Sequence, residues 1–168
     1  EIDRKAIDDV FLWCCEDDLL MAIIKNVEDH ANVDNDTAKA MVRVIIYVED
    51  SPDYRSLFLP AIYREVVKQT QAVLDESINE RHRLLRMRAR PKILLATTFE
   101  EAWDYFTTFK HNVMGVISDV QFPVNPGEES SPSAGLELAR KIKEDRPDIP
   151  ILLQSSNPQF REAAEAVA

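Results

Sequence analysis

The stretch Gly115–Pro123, GVISDVQFP, is the most informative part of this chain. Its apolar run is typical of a buried strand, and it ends on a single carboxylate, Asp119, shortly before a proline that forces the chain to turn. In an open α/β sheet, binding groups lie in the crevice outside the carboxyl ends of the strands. The stretch therefore predicts a strand that presents Asp119 to such a crevice.

Two other strand-like runs also end on polar side chains. Val44–Val48 is followed by Glu49 and Asp50, and Ile151–Leu153 is followed by a glutamine and two serines, of which Ser155 is the first. Parallel strands end at the same edge of a sheet, so we expect these side chains to lie close together. Carboxylates at two strand ends and hydroxyls at a third are the groups that a magnesium-dependent phosphoryl acceptor needs.

The chemistry of such an acceptor assigns a role to each group. Mg²⁺ prefers hard oxygen ligands, which Asp50 and Asp119 are predicted to supply, with the backbone carbonyl of Gln121 as a third donor and Glu49 as the second choice. Asp119 is the predicted phospho-acceptor, and its attack on phosphorus would be assisted by the bound metal. Ser155 is predicted to hydrogen-bond a phosphoryl oxygen and to draw its loop inward.

Three of these residues also have a structural alternative. Asp50 can cap the helix that follows it, and Glu49 can tune only the charge of the site. Ser155, like Ser156, can cap the last helix.

Strands and helices alternate along the chain after residue 40. We predict strands at about 42–48, 92–96, 115–123 and 149–154, and helices at about 53–90, 99–109, 134–145 and from 157 onward. Thr97 and Thr98 are expected to cap the helix at 99–109. This order predicts an α/β fold, a doubly wound parallel sheet with helices on both faces.

The helix that begins at Asp53 is predicted to be unusually long. About 35 residues at 1.5 Å each give roughly 50 Å, which exceeds the width of a compact domain. Its apolar positions beyond Gln71 lie past the reach of the sheet, namely Val73, Leu74, Ile78 and Leu85. They predict a homodimer formed through the long helix, or packing against another domain of a parent protein.

The first forty residues are predicted to be a separate segment. Residues 10–15 resemble a short strand, 17–30 an amphipathic helix, and 32–39 a polar linker. We therefore divide the chain into residues 1–40, a strand–helix segment and linker, and residues 41–168, the α/β domain.

The composition of the chain limits the kinds of partner and the compartment that we expect. The net charge is −10, which argues against a nucleic-acid partner. No apolar run approaches the length of a membrane span, and no secretory signal opens the chain. The adjacent cysteines, Cys14 and Cys15, are typical of reduced thiols, so we expect a cytoplasmic protein. No second set of a base and a nucleophile is present, so we do not expect an enzyme.

Four motifs in order resemble the receiver domains of two-component response regulators, over about residues 42–168. VEDSPDYR at Val48–Arg55 is similar to the acidic pair after the first strand, and DVQFP at Asp119–Pro123 to the phospho-acceptor motif. GLEL at Gly135–Leu138 is similar to the helix that follows, and PILLQSS at Pro150–Ser156 to the fourth strand with its hydroxyl switch.

The resemblance implies a flavodoxin-like sheet of strand order 2-1-3-4-5, bound Mg²⁺, and phosphoryl transfer from a histidine kinase or phosphotransfer protein to Asp119. Ser155 stands in the hydroxyl position. The stretch RPKILLATTFEEAW at Arg90–Trp103 also resembles receiver-like regions that precede phosphoenolpyruvate-synthase-type PEP/pyruvate-binding domains.

The chain departs from the family in two places. The fifth strand, with its phosphoryl-clamping lysine, and the fifth helix are not found after Ser156, and eleven residues lie between Pro123 and Gly135, where the family has only a few. The strand–helix pattern of residues 10–30 predicts a substitute fifth unit beside the fourth strand, in cis or from a second molecule. The alternative is that residues 1–30 end a preceding domain.

Two functional hypotheses follow. The first is a phosphorelay receiver in which phosphorylation of Asp119 switches an attached output or an oligomeric state. The second is a pseudo-receiver that does not switch and serves as a dimerisation or domain-positioning module.

Overall fold

A parallel sheet of four strands forms the centre of the protein, seen in a computed structural model that describes residues 7, 9–13, 17–75, 90–155 and 158–160. In chain order the strands are β1 Val44–Val48, β2 Lys92–Ala96, β3 Val113–Asp119, β4 Phe122–Pro123, β5 Ser130–Ser131 and β6 Ile151–Gln154. The sheet has the order β2-β1-β3-β6, while β4 and β5 form a separate antiparallel ribbon. The predicted α/β fold is therefore confirmed, and the four strands follow the first four positions of the predicted order 2-1-3-4-5.

Helices cover both faces of the sheet. They are α1 Asp17–Ala40, α2 Pro52–Asp75, α3 Phe99–Thr108 and α4 Ala134–Asp145, followed by a 3₁₀ turn at Pro158–Phe160. Leu59 and Tyr63 of α2 pack against one face, and Phe106 of α3 and Leu138 of α4 pack against the other. Burial of these side chains is the main force that joins the layers.

Local signals explain where α3 begins. The hydroxyl of Thr98 accepts the backbone N–H of Glu101 at 3.3 Å, and the Glu101 carboxylate accepts the N–H of Thr97 at 2.8 Å. The Thr98 hydroxyl satisfies a donor that has no partner within the first turn of the helix, and the Glu101 carboxylate ties the residue before the cap to that turn. The predicted cap at Thr97–Thr98 is confirmed.

The predicted long helix is confirmed as far as the structure describes it. α2 has 24 residues, from Pro52 to Asp75. The predicted continuation over residues 76–89 lies outside the described residues, as do the side chains of the four positions predicted to form a dimer.

The prediction for the N-terminal segment was wrong in two respects. Among the described residues of the predicted strand, 10–13 belong to no strand: the Val10 carbonyl accepts hydrogen bonds from Arg55, and the Leu12 N–H donates to Ser56. The predicted linker at 32–39 is the second half of α1, which runs to Ala40. The division of the chain at residue 40 stays a prediction.

α1 covers the edge of the sheet at β2. Ala22 belongs to the core on the α2 side, and Val33 belongs to the core on the α3 and α4 side. Between them Asp29 accepts the outward N–H of Ile93, in β2, at 2.9 Å. Helix α1 thus satisfies a backbone donor that an edge strand would otherwise expose. The predicted substitute unit beside β6 in cis was wrong, because α1 lies at the opposite edge.

The buried carboxylate of Asp29 holds this edge together. Its side chain is fully buried and pairs with Arg90 and with Lys92, the latter at 3.4 Å. The Tyr63 hydroxyl donates to it at 3.0 Å. A buried charge is tolerated only when it is paired and hydrogen-bonded in this way.

No helix in the described ranges is long and apolar enough to cross a membrane.

We expect the substitution Asp29→Asn to lower the free energy of unfolding by about 3 kcal/mol, because it leaves Arg90 and Lys92 without their buried counter-charge. Urea denaturation measures this change. Asp34→Asn, at an exposed position of the same helix, is the control and should cost much less. Equal effects of the two substitutions would contradict the role of Asp29.

Candidate functional site

Three carboxylates converge at the carboxyl edge of the sheet. Glu49 and Asp50 follow β1, Asp119 ends the neighbouring strand β3, and one oxygen of each lies within 4.8 Å of the others. The parallel register pairs Val48 with Ser118, which places the two strand ends side by side. The structure thus brings together the carboxylates that the sequence singled out; their roles as ligands stay a prediction.

Glu49 is the most buried of the three, at 2% exposure. Its carboxylate accepts the Ser51 N–H at 3.1 Å and the side-chain amide of Gln154 at 3.1 Å. The pKa of Glu49 is raised to about 7, mainly by burial and also by the negative charges of Asp119 and Asp50, while the hydrogen bonds from Ser51 and Gln154 oppose the shift. Glu49 is therefore poised between its protonated and ionised forms near neutral pH.

Asp119 is half-buried and held by its own turn. The N–H of Gln121 donates to its Oδ2 atom at 3.3 Å, and the Ser118 hydroxyl donates to its backbone carbonyl at 2.7 Å. Burial raises the pKa of Asp119, while the N–H groups of Val120 and Gln121 lower it. The backbone of the turn thus orients the Asp119 carboxylate.

Asp50 is contacted by the long loop that follows Asp119. Within this loop β4 and β5 form the antiparallel ribbon, and Ser130 at its end donates its hydroxyl to Asp50 Oδ2 at 3.1 Å. The extra residues thus form an ordered ribbon beside the acceptor.

The three carboxylates open into a cleft of about 470 Å³. Ser155 follows β6, is exposed and lines this cleft, as does Gln121. The cleft is lined by Glu49, Asp50, Ser51, Tyr54, Phe58, Asp119, Gln121, Ser130, Gln154 and Ser155. Every site residue predicted from the sequence therefore borders this cleft, whereas Ser156 lies outside the described residues.

Gly135 lets α4 approach the acceptor closely. A Cβ atom built there would lie 2.2 Å from the carbonyl oxygen of Asp119 and 2.8 Å from the Cα of Val120. The Gly135 N–H also donates to the Val120 carbonyl at 3.0 Å. Only glycine fits, so this position fixes the backbone that carries Asp119.

Sequence reasoning missed three residues at the site. The sequence placed Gln154 only at the end of a strand, Ser130 only among the eleven residues between Pro123 and Gly135, and Gly135 only in the GLEL motif. The register Asp119–Gln154 between β3 and β6 predicts that Gln154 is near the acceptor once the sheet order is known. Nothing local in the sequence identifies Ser130, because its partner is 80 residues away.

The donor set fits a hard divalent cation such as Mg²⁺. It consists of carboxylate oxygens, and among the described residues none of the three carboxylates forms an ion pair with a lysine or arginine. Three acidic groups so close together favour a cation that relieves their repulsion.

Comparisons with known proteins add little to this description. No protein-family profile matches the chain, and no curated protein matches it. A solved structure to which it is similar is a response regulator receiver domain protein from Clostridium thermocellum, with 15% identity, 74% of each chain covered and a TM-score of 0.41. This similarity is too low to carry an argument about function. None of the comparisons supports the narrower resemblance to regions that precede PEP/pyruvate-binding domains.

We expect Gly135→Ala to lower the free energy of unfolding by about 2 kcal/mol, because the added methyl group overlaps the Asp119 carbonyl. It should also shift the backbone amide resonances of Asp119 and Val120. Gly115→Ala is the control, since its Cβ would meet its nearest neighbour at 3.5 Å, an ordinary contact. A Gly135→Ala protein with unchanged stability and spectra would contradict the close approach.

The pKa of Glu49 predicts a pH dependence of stability in metal-free protein. A carboxyl whose folded pKa is raised favours folding below its unfolded pKa, and this contribution is lost as the pH rises through about 7. The Glu49→Gln protein should therefore lose less stability than the parent between about pH 5 and pH 8, by up to about 3 kcal/mol. Urea denaturation in EDTA measures it.

Glu100→Gln, at an exposed position of α3, is the control for this comparison. It should keep the parent's pH dependence. If Glu49→Gln also keeps the parent's pH dependence of stability, the pKa of Glu49 is not raised.

Proposed function

We propose that this protein is a phosphorelay receiver in which Asp119 accepts a phosphoryl group with the help of Mg²⁺. The observation that supports the proposal is the convergence of Glu49, Asp50 and Asp119 in one cleft with the Ser155 position. The fold alone would not suffice, because folds of this type serve many functions.

In the proposed reaction, a carboxylate oxygen of Asp119 attacks phosphorus as the bond between phosphorus and the donor histidine nitrogen breaks. The Gln121 N–H orients Oδ2 of Asp119, so that the carboxylate is presented in one geometry. Asp50, Asp119 and the Gln121 carbonyl would hold the cation, with Glu49 as the second choice of ligand. When bound, Mg²⁺ supplies the charge neutralisation that lets a carboxylate approach a phosphoryl group.

The output in this proposal is a change in the order of a loop. The Ser155 hydroxyl would donate to the new phosphoryl oxygen and draw the segment after β6 toward Asp119. The phosphodonor would be a histidine kinase or a phosphotransfer protein of the cytoplasm. The protein would act as a signalling component and not as an enzyme that turns over a metabolite.

A pseudo-receiver is the second candidate function. Exposed apolar side chains on α1, at Leu20, Ile24 and Val27, favour an association role that needs no phosphorylation. The predicted homodimer through the long helix belongs to this candidate as well.

Beryllofluoride with Mg²⁺ distinguishes the two candidates. If Asp119 is the acceptor, the intact protein should bind this phosphoryl mimic, seen as shifts of the Ser155 and Gln121 amide resonances. Asp119→Asn should abolish the shifts, while Asp53→Asn, an exposed carboxylate in the first turn of α2, should keep them. A parent protein that shows no shifts would rule out the receiver and leave the pseudo-receiver.

A further inference from the structure

The ribbon formed by β4 and β5 belongs to the site and is attached to the rest of the protein. Phe122, at its start, is fully buried in the core and is paired across the ribbon with Ser131. The carbonyl of Val124 accepts the N–H of Glu100 at 3.1 Å, which fastens the ribbon to the start of α3. The position of its last residues is therefore fixed by contacts outside the cleft.

The turn of the ribbon is closed by its own hydrogen bonds. The side chain of Asn125 donates to the Glu128 carboxylate at 2.9 Å, and the Asn125 backbone N–H donates to the same carboxylate at 3.2 Å. Gly127 adopts a φ of 86°, which favours glycine. These hydrogen bonds and the glycine define the turn, so the ribbon can hold one side chain in a fixed position.

That side chain is Ser130. Its hydroxyl spans from the ribbon to the end of β1 and donates to Asp50 Oδ2 at 3.1 Å. Asp50 is half-buried and lies next to two other carboxylates, and the Ser130 hydroxyl gives one of its oxygens a hydrogen-bond donor. A hydroxyl does this without a positive charge, which would compete with a cation.

We propose that Ser130 is a positioning residue that holds Asp50 in place for a divalent cation. This inference rests on the proposed function, since it concerns the same cation. An ionised carboxylate has two oxygens with several lone pairs, so the hydrogen bond to Oδ2 leaves the other oxygen for the metal. Hydrogen bonds to ligating carboxylates orient the ligand and strengthen metal binding.

The ribbon also joins the two halves of the site. It leaves β3 directly after Asp119 and Gln121 and returns, through Ser130, to Asp50 at the end of β1. The acceptor and the neighbouring carboxylate are therefore connected by a short covalent path and one hydrogen bond. Loss of that bond would free Asp50 to turn away from Asp119, which their mutual repulsion favours.

Isothermal titration of Mg²⁺ into the intact protein tests the inference. Ser130→Ala should raise the dissociation constant for Mg²⁺ about tenfold. This is at the low end of the effect expected for a residue that hydrogen-bonds a metal ligand, because the contact between Ser130 and Asp50 is exposed. Ser130→Thr keeps the hydroxyl and should restore parent-like binding. Ser131→Ala, the matched control on the same ribbon, should bind Mg²⁺ as the parent does.

Each other outcome has a distinct meaning. If the parent binds Mg²⁺ and Ser130→Ala binds it equally well or more tightly, the positioning role is overturned while the proposed function stands. An equal loss in Ser131→Ala, or no recovery in Ser130→Thr, overturns it as well, because the ribbon as a whole would then be responsible. A parent that binds no Mg²⁺ overturns the proposed function and this inference together.

Discussion

The close approach of three carboxylates at the ends of β1 and β3 is the constraint on which the rest of the site depends. Like charges within 4.8 Å of one another repel, and burial adds the cost of lost hydration. The sheet enforces this approach, since its parallel register fixes both strand ends, and α4 is seated against the acceptor turn through Gly135. The free energy of the hydrophobic core thus maintains an arrangement that the charges alone would open.

The two edge strands of the sheet, β2 and β6, have different surroundings. At β2, helix α1 places the buried carboxylate of Asp29 on the N–H of Ile93, and Arg90 and Lys92 balance its charge. At β6, no further strand pairs with the sheet within the described residues, and Leu152 on this strand is 60% exposed. Among the described residues, β6 is therefore the edge of the sheet at which a further strand could pair.

The sequence predicted the central strands and the convergence of the three carboxylates for a common reason. Apolar runs of strand length that end on polar residues locate both the strands and, through the parallel topology, the carboxyl edge where Glu49, Asp50 and Asp119 meet. The extent of α1 was not predictable in this way, because its second half, which the sequence analysis took for a linker, is mostly polar and buries only Val33 and the polar Thr37. The β4–β5 ribbon was missed because strands of two residues carry no periodic signal.

The burial of Glu49 gives the site a way to adjust its charge. With a pKa of about 7, Glu49 can take up a proton when no cation relieves its repulsion from Asp50 and Asp119. Entry of a divalent cation would favour the ionised form, so metal binding would release a proton, as it does wherever ligands must be deprotonated. Gln154 suits both states, because a side-chain amide can donate to the carboxylate or accept from the carboxylic acid after a rotation. Protonation of Glu49 therefore reduces the electrostatic repulsion within the carboxylate cluster. The hydrogen bond between Glu49 and Gln154 links the cluster to β6, the strand that leads to Ser155.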